Sequence, residues 1–209
     1  MTSTLHVSAN QWRTSILKAC IGTQVVRGVA EDVADAGLAL LAFGQDPLPP
    51  LLDCLRAYQT SAQGCDWPRH DDSMHLGHLL VLHHGPSAID MVQAGLQPQF
   101  TSDAPTLILG LAQARGHSHG LNTQVSIDDS PWLELDECLA QPEPFSASSK
   151  MRLRTSGTGD PKPLSTTQLP QPSRQNWRDL QKFADQILVP ADATSREDAG
   201  VGDGQTDND

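Results

Sequence analysis

Apolar residues recur at helical spacing through the first sixty residues of the chain. Ser8 and Gln11 have the spacing of a capping box and predict the start of a first helix. The apolar stripe of that helix has four-residue spacing: Trp12, Ile16 and Cys20. A second stripe predicts a helix over 24–42, and Asp46 followed by Pro47 predicts the first turn of a third helix.

The middle of the chain has shorter apolar runs. One continuous run predicts a short buried strand, GHLLVLHHG, and the next segment predicts a helix, PSAIDMVQAG. Ser87 and Asp90 form a cap-like pair for this helix, and Gly95 marks its end. A further helix is predicted behind Asp103, with a loop leaving it at Gly116.

The last third of the chain mixes strands, irregular segments and one helix. A strand is predicted for NTQVSIDD, and either a strand or a short helix fits SPWLELDECL. Residues 142–175 are rich in proline and serine, so we expect them to be partly irregular around one strand, KMRLRTS. Ser173 predicts the cap of a final helix whose apolar face is Trp177, Leu180, Phe183, Ala184 and Ile187. This order of elements predicts an α+β fold, with one domain over 1–189 and an acidic tail over 190–209.

Charge narrows the classes of partner. The formal net charge is −11, and the last eighteen residues hold six acids against one base, Arg196. This balance disfavours binding to nucleic acid and to anionic membranes. The nucleic-acid alternative has the support of four basic residues: Lys150, Arg152, Arg154 and Lys162. No apolar run reaches the ~20 residues that a membrane-spanning helix needs.

The cysteines and the first residues indicate a compartment. The chain begins without the basic and apolar regions of a signal peptide. Its cysteines are widely spaced, with no C-x-x-C pair: Cys20, Cys54, Cys65 and Cys138. Scattered cysteines are most often small core residues in a reducing environment. We therefore expect a cytoplasmic protein with free thiols.

Histidines and one serine are the candidates for chemistry. Seven histidines lie within fifty residues, and two close pairs offer four imidazole nitrogens to a divalent metal: His75 with His78, and His117 with His119. Neither spacing is that of H-E-x-x-H, so exposed or core histidines are the alternative. Ser87 follows two histidines at a predicted helix start, but it lacks the G-x-S-x-G elbow and helix capping explains it.

The second predicted helix carries a polar ladder. Arg27, Glu31 and Asp35 recur every four residues, with Asp32 adjacent. Such a ladder is typical of a solvated helix face with intrahelical ion pairs. The alternative is a patch that binds a ligand or a partner through Arg27, Glu31 and Asp32.

The two ends of the chain resemble one family. The opening stretch carries Lys18-Ala19, Gly28, Ala30-Glu31-Asp32 and Gly37, and the ending carries Trp177, Val189-Pro190-Ala191, Ser195-Arg196, the glycines of 200–204, and Thr206-Asp207-Asn208-Asp209. Both stretches are similar to a group of bacterial proteins known only as a domain of unknown function. The resemblance implies a bacterial α+β protein and brings no activity. It also implies that the shared ending is used, so we expect Asp207, Asn208 and Asp209 to dock against arginines such as Arg196 or Arg27.

These features predict a function class. We expect an accessory protein that binds a protein partner or a small ligand, without a cofactor, nucleic acid or membrane. The alternative is a small-molecule hydrolase or lyase that uses carboxylates and histidines, with or without a divalent metal. Whether the chain is an enzyme stays open at this stage, as does its oligomeric state.

Overall fold

The computed structural model describes residues 5–61, 73–141, 150–158 and 169–187, and the predicted tail lies outside these ranges. The helices are α1 (Ala9–Gly22), α2 (Arg27–Ala42), α3 (Leu48–Thr60), α4 (His78–Gln93), α5 (Pro105–His119), α6 (Leu135–Leu139) and α7 (Arg174–Ala184). The strands are β1 (Ser73–Leu76), β2 (Gln99–Ser102), β3 (Leu121–Ile127), β4 (Leu133–Glu134) and β5 (Lys150–Thr158). These elements confirm the α+β fold.

Two helix starts follow from local side-chain caps. Ser8 Oγ accepts a hydrogen bond from Gln11 N, and Gln11 Oε1 accepts one from Ser8 N, which confirms the capping box. Ser173 Oγ likewise accepts from Asn176 N at the start of α7. Helix α2 begins three residues later than predicted, because Gln24 has a φ of +67° and belongs to the connection.

The segment predicted as a strand followed by a helix is one sixteen-residue helix, α4. The strand prediction for GHLLVLHHG is therefore wrong, and Ser87 lies inside α4 rather than at a cap. Pro86 also lies inside α4, where it removes one backbone donor. A Cβ on Gly85 would meet Leu111 Cδ1 at 2.9 Å, so α4 approaches α5 closely at this position. Packing against α5 decides a conformation that a short apolar run leaves ambiguous.

The helix predicted behind Asp103 is α5, but both of its ends differ from the prediction. No side chain caps α5, and the Asp103 carboxylate faces two histidines instead. The helix continues past Gly116 to His119, and Gly120, which has a left-handed φ of +62°, caps its end. Gly116 allows α5 to pack closely against the start of β3, because a Cβ at this position would lie 2.9 Å from the carbonyl oxygen of Leu121.

The five strands form one mixed sheet in the order β1-β2-β5-β3-β4. β1 and β2 are parallel and α4 connects them, whereas the other neighbours are antiparallel. The sequence predicts neither β1 nor β2, because four-residue strands carry too few positions for a clear pattern. The segment with two alternatives contains both, as β4 followed by α6. The predicted strand KMRLRTS is confirmed as β5, the middle strand of the sheet.

The sheet has one apolar face and one polar face, because side chains alternate along each strand. The apolar face packs under the helices through Phe100, Val125, Met151 and Leu153. The opposite side, which we call the polar face, carries His75, Gln99, Thr101, Gln124, Lys150, Arg152 and Arg154. The polar face therefore holds three cationic side chains of β5.

The remaining helices build a layer on the apolar side of the sheet. Helix α2 packs against α1 and α5, and α7 packs against α1 and α3. Trp12 and Trp177 meet edge to face, with ring centroids 5.2 Å apart. A Cβ on Gly22 would overlap Phe183 O, so α1 and α7 touch backbone to backbone. None of the helices in the described ranges is long and apolar enough to cross a bilayer.

Candidate binding site on the polar face

Arg154 presents a guanidinium group that is held on two sides. Its Nε and Nη2 atoms donate to Gln124 Oε1 at 2.9 and 2.7 Å. Its Cζ atom lies 4.2 Å from the centroid of the Trp132 ring, in cation–π contact. Gln124 Nε2 in turn donates to Glu134 Oε1 at 2.6 Å, which fixes the orientation of the amide. Among the described residues Arg154 Nη1 has no hydrogen-bond partner, so this edge of the guanidinium can bind another group.

Arg152 lies beside the same aromatic ring. Its Cζ atom is 5.6 Å from the centroid of Trp132. Its Nη2 atom is 3.0 Å from Asp129 Oδ1 and 3.4 Å from Ser126 Oγ. The Asp129 side chain is 74% exposed, so water screens this ion pair and the pair is weak. Arg152 can therefore exchange Asp129 for another anionic group.

A tight turn between β3 and β4 positions Trp132. Asp128 and Asp129 have φ angles of +49° and +61°, as a type I′ hairpin turn requires, and a 2.9 Å backbone hydrogen bond closes the turn. Asp128 Oδ1 accepts from Lys150 N at 2.8 Å and ties the turn to the start of β5. The turn therefore places Trp132 against the arginines of β5.

Lys150, Arg152 and Arg154 form a row along β5. Alternate residues of a strand are about 6.7 Å apart along its backbone, so the Cα atoms of the three cationic residues recur at that interval. Thr101 lies opposite Lys150 in the sheet, and Gln99 lies opposite Arg152. Each of these two cations thus has an uncharged polar neighbour on β2.

A second polar cluster lies at the carboxyl ends of the parallel strands β1 and β2. His75 Nε2 is 3.7 Å from Asp103 Oδ1, and His78 Nδ1 is 3.6 Å from Asp103 Oδ2. His75 Nδ1 is also 2.8 Å from Thr101 Oγ1. Gly77 leaves the carboxylate room, because a Cβ there would approach Asp103 Oδ2 to 3.3 Å. One carboxylate therefore lies within 4 Å of a ring nitrogen of each histidine in the first candidate pair.

The second pair of candidate histidines lies elsewhere. His117 and His119 occupy the last turn of α5, whereas Asp103 precedes its first turn. A fifteen-residue helix is about 22 Å long, so the two pairs do not converge on one ion. Within the described ranges, no three His, Cys, Asp or Glu side chains are arranged to hold a metal.

In the polar ladder of α2, some side chains lie at the surface and others face neighbouring helices. Arg27 is 81% exposed and pairs with Glu31 within the helix at 3.0 Å. Asp32 instead pairs with Arg115 of α5 at 2.9 Å, and Arg115 Nε is 3.7 Å from Asp90 of α4. Burial raises the pKa of Asp32 above its ordinary value, against the opposing effect of Arg115. Asp32 therefore links helices, while Arg27 and Glu31 remain at the surface.

Several candidate residues are not placed by the structure. Those of the predicted docking tail lie outside the described ranges: Arg196, Asp207, Asn208 and Asp209. Lys162, the fourth residue of the basic group, also lies outside them. Ser87 is described, and it is exposed on α4.

The sequence predictions include the cations of β5 but not the groups that hold them. Trp132 and Gln124 are eight residues apart in sequence, and Arg154 follows thirty residues after Gln124. The period-two pattern of KMRLR indicates that the cations share one face. No local pattern indicates which strands pair with β5, and therefore which side chains lie beside its cations.

Comparisons with protein-family models, with curated proteins and with solved structures find no match to this chain. The resemblance at the two ends of the chain therefore stays a prediction.

Proposed function

We propose that this chain is an accessory protein without catalytic activity of its own, which binds an anionic partner through the polar face. The observation that carries the proposal is the position of Arg154 between Trp132 and Gln124, with Nη1 unbonded among the described residues. Guanidinium groups recognise carboxylates and phosphates through paired N–H donors. A preformed group of this kind is suited to binding an anion.

Preorganisation favours binding at this position. A free arginine side chain loses rotamer freedom when it binds, and that loss weakens affinity. The contacts of Arg154 with Trp132 and Gln124 restrict its side chain before any partner arrives. Less side-chain entropy is therefore lost on binding, and the affinity for an anion is higher.

The distribution of charge also supports the binding of an anion at the polar face. The protein carries a net charge of −11, yet β5 gathers three cations on one face. A local concentration of positive charge in an acidic protein attracts a short anionic segment, while the net charge repels a long polyanion. The compartment that we propose is the cytoplasm, on the support of three buried cysteines that are unpaired: Cys20, Cys54 and Cys138.

The proposal is tested by binding of a defined anion. A fluorescein-labelled oligoglutamate is titrated with the full chain, and binding is measured by anisotropy at low and physiological salt. We expect Arg154→Ala to weaken binding about tenfold or more, because a charge-assisted bidentate contact is lost. Arg56→Ala is the matched control, since Arg56 is exposed on α3 and pairs with Asp53 of the same helix and, at 3.8 Å, with Asp179 of α7. Equal losses in the two variants would contradict the proposal.

A second candidate function is a small-molecule hydrolase or lyase centred on Asp103. It is favoured by the position of the His75, His78 and Asp103 cluster, since ligands of parallel sheets bind at the carboxyl ends of the strands. Calorimetric titration with Zn²⁺ and Mn²⁺ tests its metal-dependent form. Binding that His78→Ala abolishes and His117→Ala preserves would favour this candidate over the accessory role. The absence of such binding would remove the metal-dependent form.

A further inference from the structure

We propose that the partner of the polar face is an extended acidic peptide with carboxylates at alternate positions, lying along β5. This inference rests on the proposed function and specifies its ligand. It is carried by the row of Lys150, Arg152 and Arg154 and by the chemistry of the strands on either side.

The backbone spacing of the cationic residues matches the spacing of alternate residues in an extended chain. Successive cations of β5 are two residues apart, which is about 6.7 Å in a strand. The alternate side chains of a bound extended peptide recur at the same interval. Three carboxylates at alternate positions can therefore meet three cations in register, whereas three consecutive carboxylates point to opposite sides of the peptide.

At residues 150–152 the peptide is held by side chains rather than by strand addition. There β5 is hydrogen-bonded to β2 on one side and lies beside β3 on the other, so an added strand has no free edge at this end of the row. Affinity then depends on the cations, and specificity depends on the carboxylate spacing. This differs from peptide binding at a sheet edge, where the main chain supplies the affinity.

The distribution of acids determines the side on which the peptide lies. Asp129 and Glu134 border the row on the β3 and β4 side, where they repel a second carboxylate. Gln99 and Thr101 border the row on the β2 side and are uncharged hydrogen-bonding groups. The bound peptide therefore lies over β5, with β2 bordering it at Lys150 and Arg152.

The same surface is poorly suited to single-stranded nucleic acid. Binding of that kind combines cations with aromatic rings on which successive bases stack. In the part of the chain that the structure describes, Trp132 is the aromatic side chain in contact with this row, and Arg154 already covers its ring at 4.2 Å. A base would have to displace Arg154, and the net charge of −11 opposes a long phosphate backbone.

Three labelled probes are titrated with the full chain and followed by anisotropy. The first peptide has three aspartates alternating with serines, and the second has the same composition with the aspartates consecutive. The third probe is an oligothymidine of similar length. We expect the alternating peptide to bind about tenfold more tightly than the block peptide, because only the former places all three carboxylates on one side.

Two substitutions locate the binding. Arg152→Ala should abolish most of the preference for the alternating peptide, while the control Arg56→Ala retains it. Asp129→Asn should tighten binding of the alternating peptide several-fold, because it removes the competing carboxylate from Arg152. Asparagine also tolerates the left-handed conformation of this position, so the turn is preserved.

Each outcome bears on one proposal or on both. Equal affinity for the two peptides, still lost in Arg154→Ala, overturns the alternating-peptide inference and leaves the proposed function intact. Tighter binding of oligothymidine that depends on Arg154 has the same consequence. Failure of all three probes to bind overturns both.

Discussion

The guanidinium of Arg115 on α5 lies 2.9 Å from the carboxylate of Asp32 on α2, and both side chains are partly buried. This contact joins two helices whose interface is one of the main contacts of the core. A half-buried carboxylate that loses its partner retains its desolvation penalty. The pair therefore matters more for stability than the ion pairs on exposed helix faces.

Replacing Arg115 by alanine should lower the free energy of unfolding by about 1–3 kcal/mol, because Asp32 is left without its partner. Urea denaturation followed by circular dichroism measures this change. Arg27→Ala is the control, since it breaks an exposed intrahelical pair and should change stability by less than about 0.5 kcal/mol. A double-mutant cycle with Asp32→Ala should show coupling; additive effects would contradict the assignment.

Two glycines should respond to alanine in opposite ways. Gly22→Ala should destabilise the protein by about 1–3 kcal/mol or more, because its Cβ would overlap Phe183 O. Gly28→Ala, in the first turn of α2, has nothing within 4 Å of the added Cβ. The second change should be neutral or stabilising by up to about 1 kcal/mol, through higher helix propensity. Thermal unfolding of the two variants compares them, and a stable Gly22→Ala protein would show that α1 and α7 do not touch as described.

His83 should make stability depend on pH. Its ring stacks on Tyr58 with centroids 4.6 Å apart, and burial, together with the nearby His84, lowers the pKa of His83 below its ordinary value of 6.5. The unfolded chain then binds more protons than the folded chain at mildly acidic pH. The contribution of His83 is therefore present above pH 6.5 and is lost as the pH falls through its lowered folded-state pKa.

Replacing His83 by phenylalanine keeps a stacking ring and removes the titrating group. We expect the free energy of unfolding of this variant to fall less between pH 7 and about pH 5 than that of the unchanged protein. Urea titrations at several pH values give the comparison. Parallel pH profiles for the two proteins would exclude His83 as the cause.

Three cysteines should resist alkylation in the folded protein. Burial raises the pKa of Cys20 to about 12 and that of Cys138 to about 11, and it also raises the pKa of Cys54. Because the thiolate is the reactive form, iodoacetamide at pH 8 should leave these three thiols unmodified. Peptide mapping by mass spectrometry tests this, with urea-unfolded protein as the positive control. Rapid labelling of Cys20 without denaturant would contradict its burial.

The length of α4 shows why part of the fold could not be predicted. Its first half is an apolar run that is compatible with strand or helix, and Pro86 is typical of a helix start. The contact of Gly85 with Leu111 and Ile108 is available only to a helix continuing through Pro86. Residues distant in sequence therefore decided the conformation of this segment.

Sequence alone determined the features that depend on neighbouring residues. The Ser8–Gln11 box and the Ser173 cap satisfy backbone donors within the same turn, so their spacing is visible in the chain. The alternation of β5 likewise placed its cations on one face. Only the tertiary structure decided what those cations meet, because the pairing of β5 with β3 brings Gln124 to Arg154 across thirty residues. Strand pairing depends on the packing of the whole core, and no local pattern encodes it.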